Sequence, residues 1–304
     1  MRRALSTIDE ASFRKDLTKL VGLRNANDPE HARAALFYVE DELRAAGFAV
    51  QRQLVRREDH GEVNVIADLA GREVSSRERR NRVVVATAHL DTVSASPGAD
   101  DNASGIATLL AIARAAKTIP TASSIRLIAF GLEEEGLAGS KRYVRSLSAT
   151  ERARIDVVYN FDMVAYRRHS PGSQEWPEHA DILADLKGRP LPTTGSFIGA
   201  VTIASEDHAP IHALHEAQAF VPRLRVETLE LPPVLLRFTP DLTRGDHAPF
   251  WKVGIPAVAI GDTAELRNPH YHMPSDTLVT LDLAFGAEVA RWGAAGVLIA
   301  ARPL

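Results

Sequence analysis

Two adjacent carboxylates, Asp100 and Asp101, sit among small residues in GADDNASG (98–105), between a hydrophobic run and a helical repeat. Buried like charges repel one another and resist desolvation, so such a pair asks for a compensating cation. Capping of a helix N-terminus by one acid, with the other exposed, is the simpler alternative. His89 and Asp91 close the run VVVATAHLD. At that spacing in a strand, the carboxylate can orient the imidazole while a metal takes its other nitrogen. Glu133, Glu134 and Glu135 follow IRLIAFGL and point in different directions, so at most two face one cavity. Asp162 ends VVYNFD, and His272 lies in NPHYHMPSDT with Asp276 four residues on, placed to cap the last helix or to orient the imidazole.

Singly, each of these residues has an ordinary explanation as a cap, a surface pair or a charged loop. Together they form a set of two histidines, two aspartates and a glutamate offering only nitrogen and oxygen donors. That set suits two Zn²⁺ or similar ions about 3.5–4 Å apart, bridged by a carboxylate and a water, with a further carboxylate as base. The chain has no cysteine, which excludes thiolate ligands, thiol catalysis and disulfides.

The elements that must position these residues follow from periodicity. Continuous or alternating apolar runs predict strands at 48–54, 63–69, 83–88, 125–130, 157–161, 197–203, 234–238 and 255–260. Helical spacing predicts helices over 31–46, 106–116, 140–147, 208–220 and 280–299. Strand, polar residue, then helix or loop recurs three times, which predicts an α/β fold with a site at the carboxyl edge of its sheet. Residues 166–193 are rich in proline, glycine and charge and read as a surface excursion, a lid or the wall of a pocket. The basic run 77–82 and the polar turn 58–61 read as solvated loops.

The segments AHLDTV (88–93), PGADDNASG (97–105), FGLEEEGLAGS (130–140), NFDMV (160–164), DHAPF (246–250) and YHMPSDT (271–277) resemble, in order, the metallopeptidases of family M28. That family includes aminopeptidases and glutamate carboxypeptidases. The resemblance implies that His89 and Asp162 hold one zinc ion, Glu134 and His272 the second, and that Asp101 bridges them. It implies Glu133 as the catalytic base, in a register set by Gly136, with Asp91 as the carboxylate partner of His89. Asp100, Asp246 and His247 are implied to shape the pocket, whereas Tyr271, immediately before His272, can either donate a hydroxyl to an anionic intermediate or serve in packing. It also implies a doubly wound, mostly parallel sheet in three layers, one catalytic domain over 1–304, and a pocket-forming excursion at about 165–195. HLDTV alone is also similar to the M20 peptidases, but Asp162 and His272 are 110 residues apart, which leaves little room for that family's inserted domain.

The expected activity is hydrolysis of a peptide or small amide, foremost removal of N-terminal residues. Arg167, Arg168, Arg223, Arg225, Arg237 and Arg244 keep a glutamate-type carboxypeptidase open. Glutaminyl cyclisation on one zinc and a silent binding module are the remaining alternatives. A net charge of −3 with mixed signs gives no reason to expect nucleic acid or an anionic membrane as partner. Residues 281–300 carry Asp282, Glu288 and Arg291 and read as a core helix rather than a span. No export-signal core follows the two N-terminal arginines, so cytoplasmic residence is the expectation.

Overall fold

A computed structural model describes residues 1–56, 62–72, 82–178, 180–205 and 208–304. The 58–61 turn and residues 77–81 of the basic run lie outside them. Arg82, at the end of that run, pairs with Asp156.

Among the described residues eight strands, β1 (Ala49–Leu54), β2 (Val63–Leu69), β3 (Val83–His89), β4 (Ser124–Phe130), β5 (Ile155–Phe161), β6 (Ile198–Ile203), β7 (Val226–Leu231) and β8 (Ala257–Gly261), form one sheet in the order β1-β2-β4-β3-β5-β8-β6-β7. Four of its seven pairings are parallel: β3–β4, β3–β5, β5–β8 and β6–β7. The central strands are parallel and covered on both faces, as their continuous apolar runs require.

Among the described residues ten helices surround the sheet: α1 (Arg2–Leu5), α2 (Glu10–Leu20), α3 (Pro29–Ala45), α4 (Gly105–Ala116), α5 (Ala138–Ser146), α6 (Ala149–Arg154), α7 (Ala180–Lys187), α8 (Ala209–Ala217), α9 (Ala248–Trp251) and α10 (Leu283–Ala300). Side chains alternate along each strand, and the core divides accordingly. Val84, Ala86 and Ala88 pack with α2, α3, α4, α8 and α10, whereas Val85, Ile128 and Phe130 pack with Tyr143 of α5 and Phe250 of α9. The architecture is therefore a three-layer α/β fold with helices on both faces.

α10 is long and apolar enough to cross a bilayer by composition, yet 72% of it is buried in the core. A Cβ at Gly293 would stand 2.6 Å from the Phe161 ring, so glycine there lets α10 seat against the end of β5, immediately before Asp162. The chain steps from β3 to β4 on one side and to β5 on the other, and this reversal opens a crevice at the carboxyl ends of the strands.

Two expectations fail. Residues 234–238 are not a strand: Pro233–Phe238 is a 3₁₀ turn, because Pro232 and Pro233 fix φ and remove two amide donors a ladder would need. β7 lies instead at Val226–Leu231, a segment that periodicity left unassigned because its inward Glu227 interrupts the apolar pattern. The last helix begins at Leu283, after the short 3₁₀ turn Leu278–Thr280.

Candidate metal centre

The strand ends deliver the acids and histidines to one place. His89 is the last residue of β3, Glu133 and Glu134 follow β4, and Asp162 follows β5. Asp101 arrives on the kinked turn Ala99–Ser104 that precedes α4, and His272 on the long connection after β8.

Asp101 lies at the centre. Its Oδ1 is 3.1 Å from His89 Nε2, and its Oδ2 is 3.2 Å from His272 Nε2. His89 Nε2 is also 3.4 Å from Asp162 Oδ1, and His272 Nε2 is 3.2 Å from Glu134 Oε2. Three trios have donor atoms within 4.8 Å of one another: His89–Asp101–Asp162 and Asp101–Glu134–His272, which share Asp101, and His89–Glu133–Glu134. Glu134 Oε1 is buried without a hydrogen-bond partner among the described residues. An orphaned carboxylate oxygen among borderline nitrogen and oxygen donors fits a divalent metal of zinc type.

The backbone around these donors is forced into rare conformations. Leu132 (φ 57°), Met163 (φ 52°) and His272 (φ 58°) are left-handed non-glycine residues that precede Glu133, follow Asp162 and carry a donor, respectively. Each costs about 1–3 kcal/mol, which the surrounding packing must offset.

The surrounding residues hold the donors in ways the sequence reading partly misjudged. Asp91 reaches His89 Nδ1 only at 3.6 Å with its carboxylate, while its backbone oxygen lies at 3.2 Å. The carboxylate instead accepts the amides of Glu133 (3.0 Å) and Glu134 (3.1 Å), so Asp91 ties the end of β3 to the acid-bearing loop. Asp100 turns away from the donors: its oxygens accept Ala165 N and Asn268 Nδ2, both at 2.9 Å. Asp276 neither caps α10, which Asp282 does, nor faces His272. It accepts the backbone amides of Asp100 at 2.9 Å and Asp101 at 3.1 Å, and so sets the entry of the Asp101 turn. Asn102 was not anticipated; it donates to Phe161 O at 2.9 Å and accepts Gly105 N at 2.9 Å, joining that turn to β5. Glu135 is exposed and pairs with Arg56.

Asp246 is buried near the site, with Ser140 beside its carboxylate. Burial pushes its carboxyl up to about 7, against the pull of His89. His247 Nε2 contacts Leu242 O at 2.8 Å, and its ring stands edge-on to Trp251 at 4.4 Å. Tyr271 stacks on His272 with centroids 3.8 Å apart, and its hydroxyl accepts Arg244 Nη2 at 2.9 Å, leaving its own proton free to donate.

Burial disfavours the charged imidazole of His272, but hydrogen bonds to Asp101 and Glu134 outweigh it and raise the pKa to about 10. In His89 burial is likewise overcome, by the charges of Asp162 and Glu133. The carboxyls of Glu133 and Glu134 are both raised, chiefly by burial. For groups whose folded pKa exceeds the unfolded value, stability is fully present below the unfolded pKa and is lost as pH climbs to the folded one. The metal-stripped protein is therefore expected to melt at a lower temperature at pH 9 than at pH 6.5, with zinc reversing the trend because loading releases imidazole protons. Calorimetry of chelator-treated protein checks this; a melting temperature that rises over that interval contradicts it.

A cavity of about 520 Å³ opens beside the donors and runs beneath the 176–192 excursion, lined by Trp176, Leu183, Phe197, Val201, Leu229 and Ile260. Trp176 stacks flat on Phe197 with centroids 6.1 Å apart, so the excursion forms a wall of this chamber.

Comparison with known proteins adds three relatives. The chain is 28% identical over 282 residues to the uncharacterized protein YfbL of Escherichia coli, covering 90% of this chain and 82% of that one. It is 35% identical over 214 residues to leupeptin-inactivating enzyme 1 of Streptomyces exfoliatus, covering 66% of this chain and 46% of the relative. The solved zinc aminopeptidase from Bacillus subtilis superposes with a TM-score of 0.57 at 26% identity, covering 77% of this chain and 49% of that one. The chain thus spans about half the length of these last two. The sequence model of peptidase family M28 matches residues 64–216, the stretch that runs from β2 to the end of α8 and carries every donor but His272, and the chain belongs to that family.

Proposed function

We propose that the protein is a two-zinc aminopeptidase that removes apolar N-terminal residues from peptides. The observation that carries this is the single carboxylate of Asp101, turned with one oxygen toward His89 and the other toward His272, and so shared by two trios of donors. In this reading His89 and Asp162 hold one ion, Glu134 and His272 the other, and Asp101 both. When bound, the two ions polarise the scissile carbonyl and lower the pKa of the attacking water.

Glu133 takes the proton from that water and delivers it to the departing amine. In the metal-free protein burial raises its carboxyl well above the usual range, against the pull of His89 and with the help of Asp246 and Asp162. The Tyr271 phenol is held neutral by burial and by the Asp101 charge, so it donates a hydrogen bond to the carbonyl oxygen as negative charge develops there.

The charge of the chamber favours an amine over a C-terminal carboxylate. Of the six arginines considered above, only Arg244 lines it, and that residue is engaged by Glu265 and Tyr271. Arg167 pairs with Asp282 and Arg225 with Glu227, while Arg237 lies over the Phe238 ring. Glu178 and Asp241 also line the chamber, so acids other than the metal donors and the base are present to meet a substrate ammonium. A one-zinc cyclase leaves the His89–Asp162 pair without a purpose.

The test is cleavage of peptides beginning with leucine, phenylalanine or alanine, each with a free or an acetylated amine. Acetylation is expected to abolish cleavage, and Leu229→Trp, which fills the chamber, to lower kcat/KM for leucine and phenylalanine substrates by about 10-fold or more while sparing alanine. Cleavage indifferent to acetylation would overturn the aminopeptidase reading.

A further inference from the structure

Arg24 is among the most buried charges of the molecule, 3% exposed, and no carboxylate among the described residues forms an ion pair with it. A buried guanidinium ordinarily has an acid within reach. Here it spends its donors on backbone oxygens. Nε donates to Leu90 O at 2.6 Å, Nη1 to Leu20 O (2.7 Å), Gly22 O (3.1 Å) and Pro97 O (3.0 Å), and Nη2 to Gly98 O (2.9 Å).

The positions of these acceptors are informative. Leu20 and Gly22 belong to the end of α2 and the residues after it. Leu90 stands between His89 and Asp91, and Pro97 and Gly98 lead directly into the turn that carries Asp101. One planar, five-donor group thus fixes the exit of β3 against the entry of the Asp101 turn. Lysine cannot reproduce that span, having three donors on one atom.

Neighbouring residues reinforce the same joint. Thr92 Oγ1 accepts Arg24 N and Asn25 Nδ2, both at 3.0 Å, and Asn25 Nδ2 also donates to Val93 O at 2.9 Å. Gly98 takes φ 61°, and a Cβ there would lie 2.8 Å from Arg24 Nη2 and 2.3 Å from Asp101 O. Only glycine lets the guanidinium and the donor turn approach so closely. Burial lowers the guanidinium pKa to about 10, opposed by the charges of Asp101, Asp276, Asp91 and Glu134, so it stays cationic at neutral pH.

We infer that Arg24 is a positioning residue of the metal centre: by holding the exit of β3 against the entry of the Asp101 turn, its guanidinium sets the distance between His89 and Asp101. The inference rests on the two-zinc reading above. A residue that merely stapled α2 to the sheet would affect melting alone; a positioning residue changes metal affinity in protein that is already folded.

The experiment measures the zinc dissociation constant of the whole protein by competition with a chromophoric chelator, for wild type, Arg24→Met, Arg24→Lys and the exposed control Arg14→Met, alongside near-ultraviolet circular dichroism to establish folding. Folded R24M is expected to bind zinc about 10- to 100-fold more weakly than wild type, R24K to fall between them, and R14M to match wild type. Should R24M fail to fold, R24K decides: an affinity below wild type in folded protein supports the assignment. Wild-type affinity in folded R24M, or in R24K where that variant decides, overturns it while leaving the two-zinc reading intact. A wild-type protein that binds no zinc overturns the two-zinc reading and this assignment together.

Discussion

The Glu133→Gln protein is expected to keep its fold and its zinc while kcat falls by about 10²- to 10⁴-fold, the range over which a positioned general base accelerates proton transfer. The substitution preserves size and removes only the basic oxygen. The loop geometry is held by the Glu133 amide, which donates to Asp91 Oδ1 at 3.0 Å and is untouched by the change. Substrate binding depends on the chamber walls and on the other donors, so KM is expected to move little. Steady-state kinetics with metal content determined on the same sample checks both halves. Activity within a few-fold of wild type would assign the base elsewhere, and the exposed, Arg56-paired Glu135 offers no replacement.

A larger loss is expected from Asp101→Asn. Asp101 is 4% exposed, and its two oxygens stand 3.1 Å from His89 Nε2 and 3.2 Å from His272 Nε2. An amide can present one acceptor and must turn a donor toward the other imidazole, so one contact becomes repulsive in the metal-free protein and one ligand is lost to the cations. Replacing a residue that only supports a ligand typically costs 10- to 100-fold in metal affinity, so loss of the shared ligand itself is expected to exceed about 100-fold. Activity should fall with it, since both cations depend on this carboxylate in the proposed arrangement. Equilibrium dialysis against buffered zinc measures the stoichiometry; two ions retained at wild-type affinity would remove Asp101 from its bridging place. The two variants are complementary, since one separates chemistry from metal binding and the other removes metal binding itself.

The sequence by itself determined the layered α/β architecture, because buried parallel strands must be continuously apolar and the helices around them must show a 3.6-residue stripe. It also identified the acids and histidines at strand ends, since no structural role requires so many charged groups beside such apolar runs. Where each side chain points was decided only by the tertiary structure. Asp100 and Asp101 are neighbours of the same chemical type, yet the kinked turn directs one to Asn268 and the other to the two imidazoles. Asp276 looked like a helix cap and holds instead the amides of Asp100 and Asp101, about 175 residues away in the chain. β7 was hidden because its inward Glu227 is made tolerable by Lys187, Arg189 and Arg225, a charge cluster that local periodicity does not register. Arg24 carried no signal at all: its partners are carbonyl oxygens, which every residue possesses, so only the folding of α2 against the β3 exit reveals what the guanidinium holds.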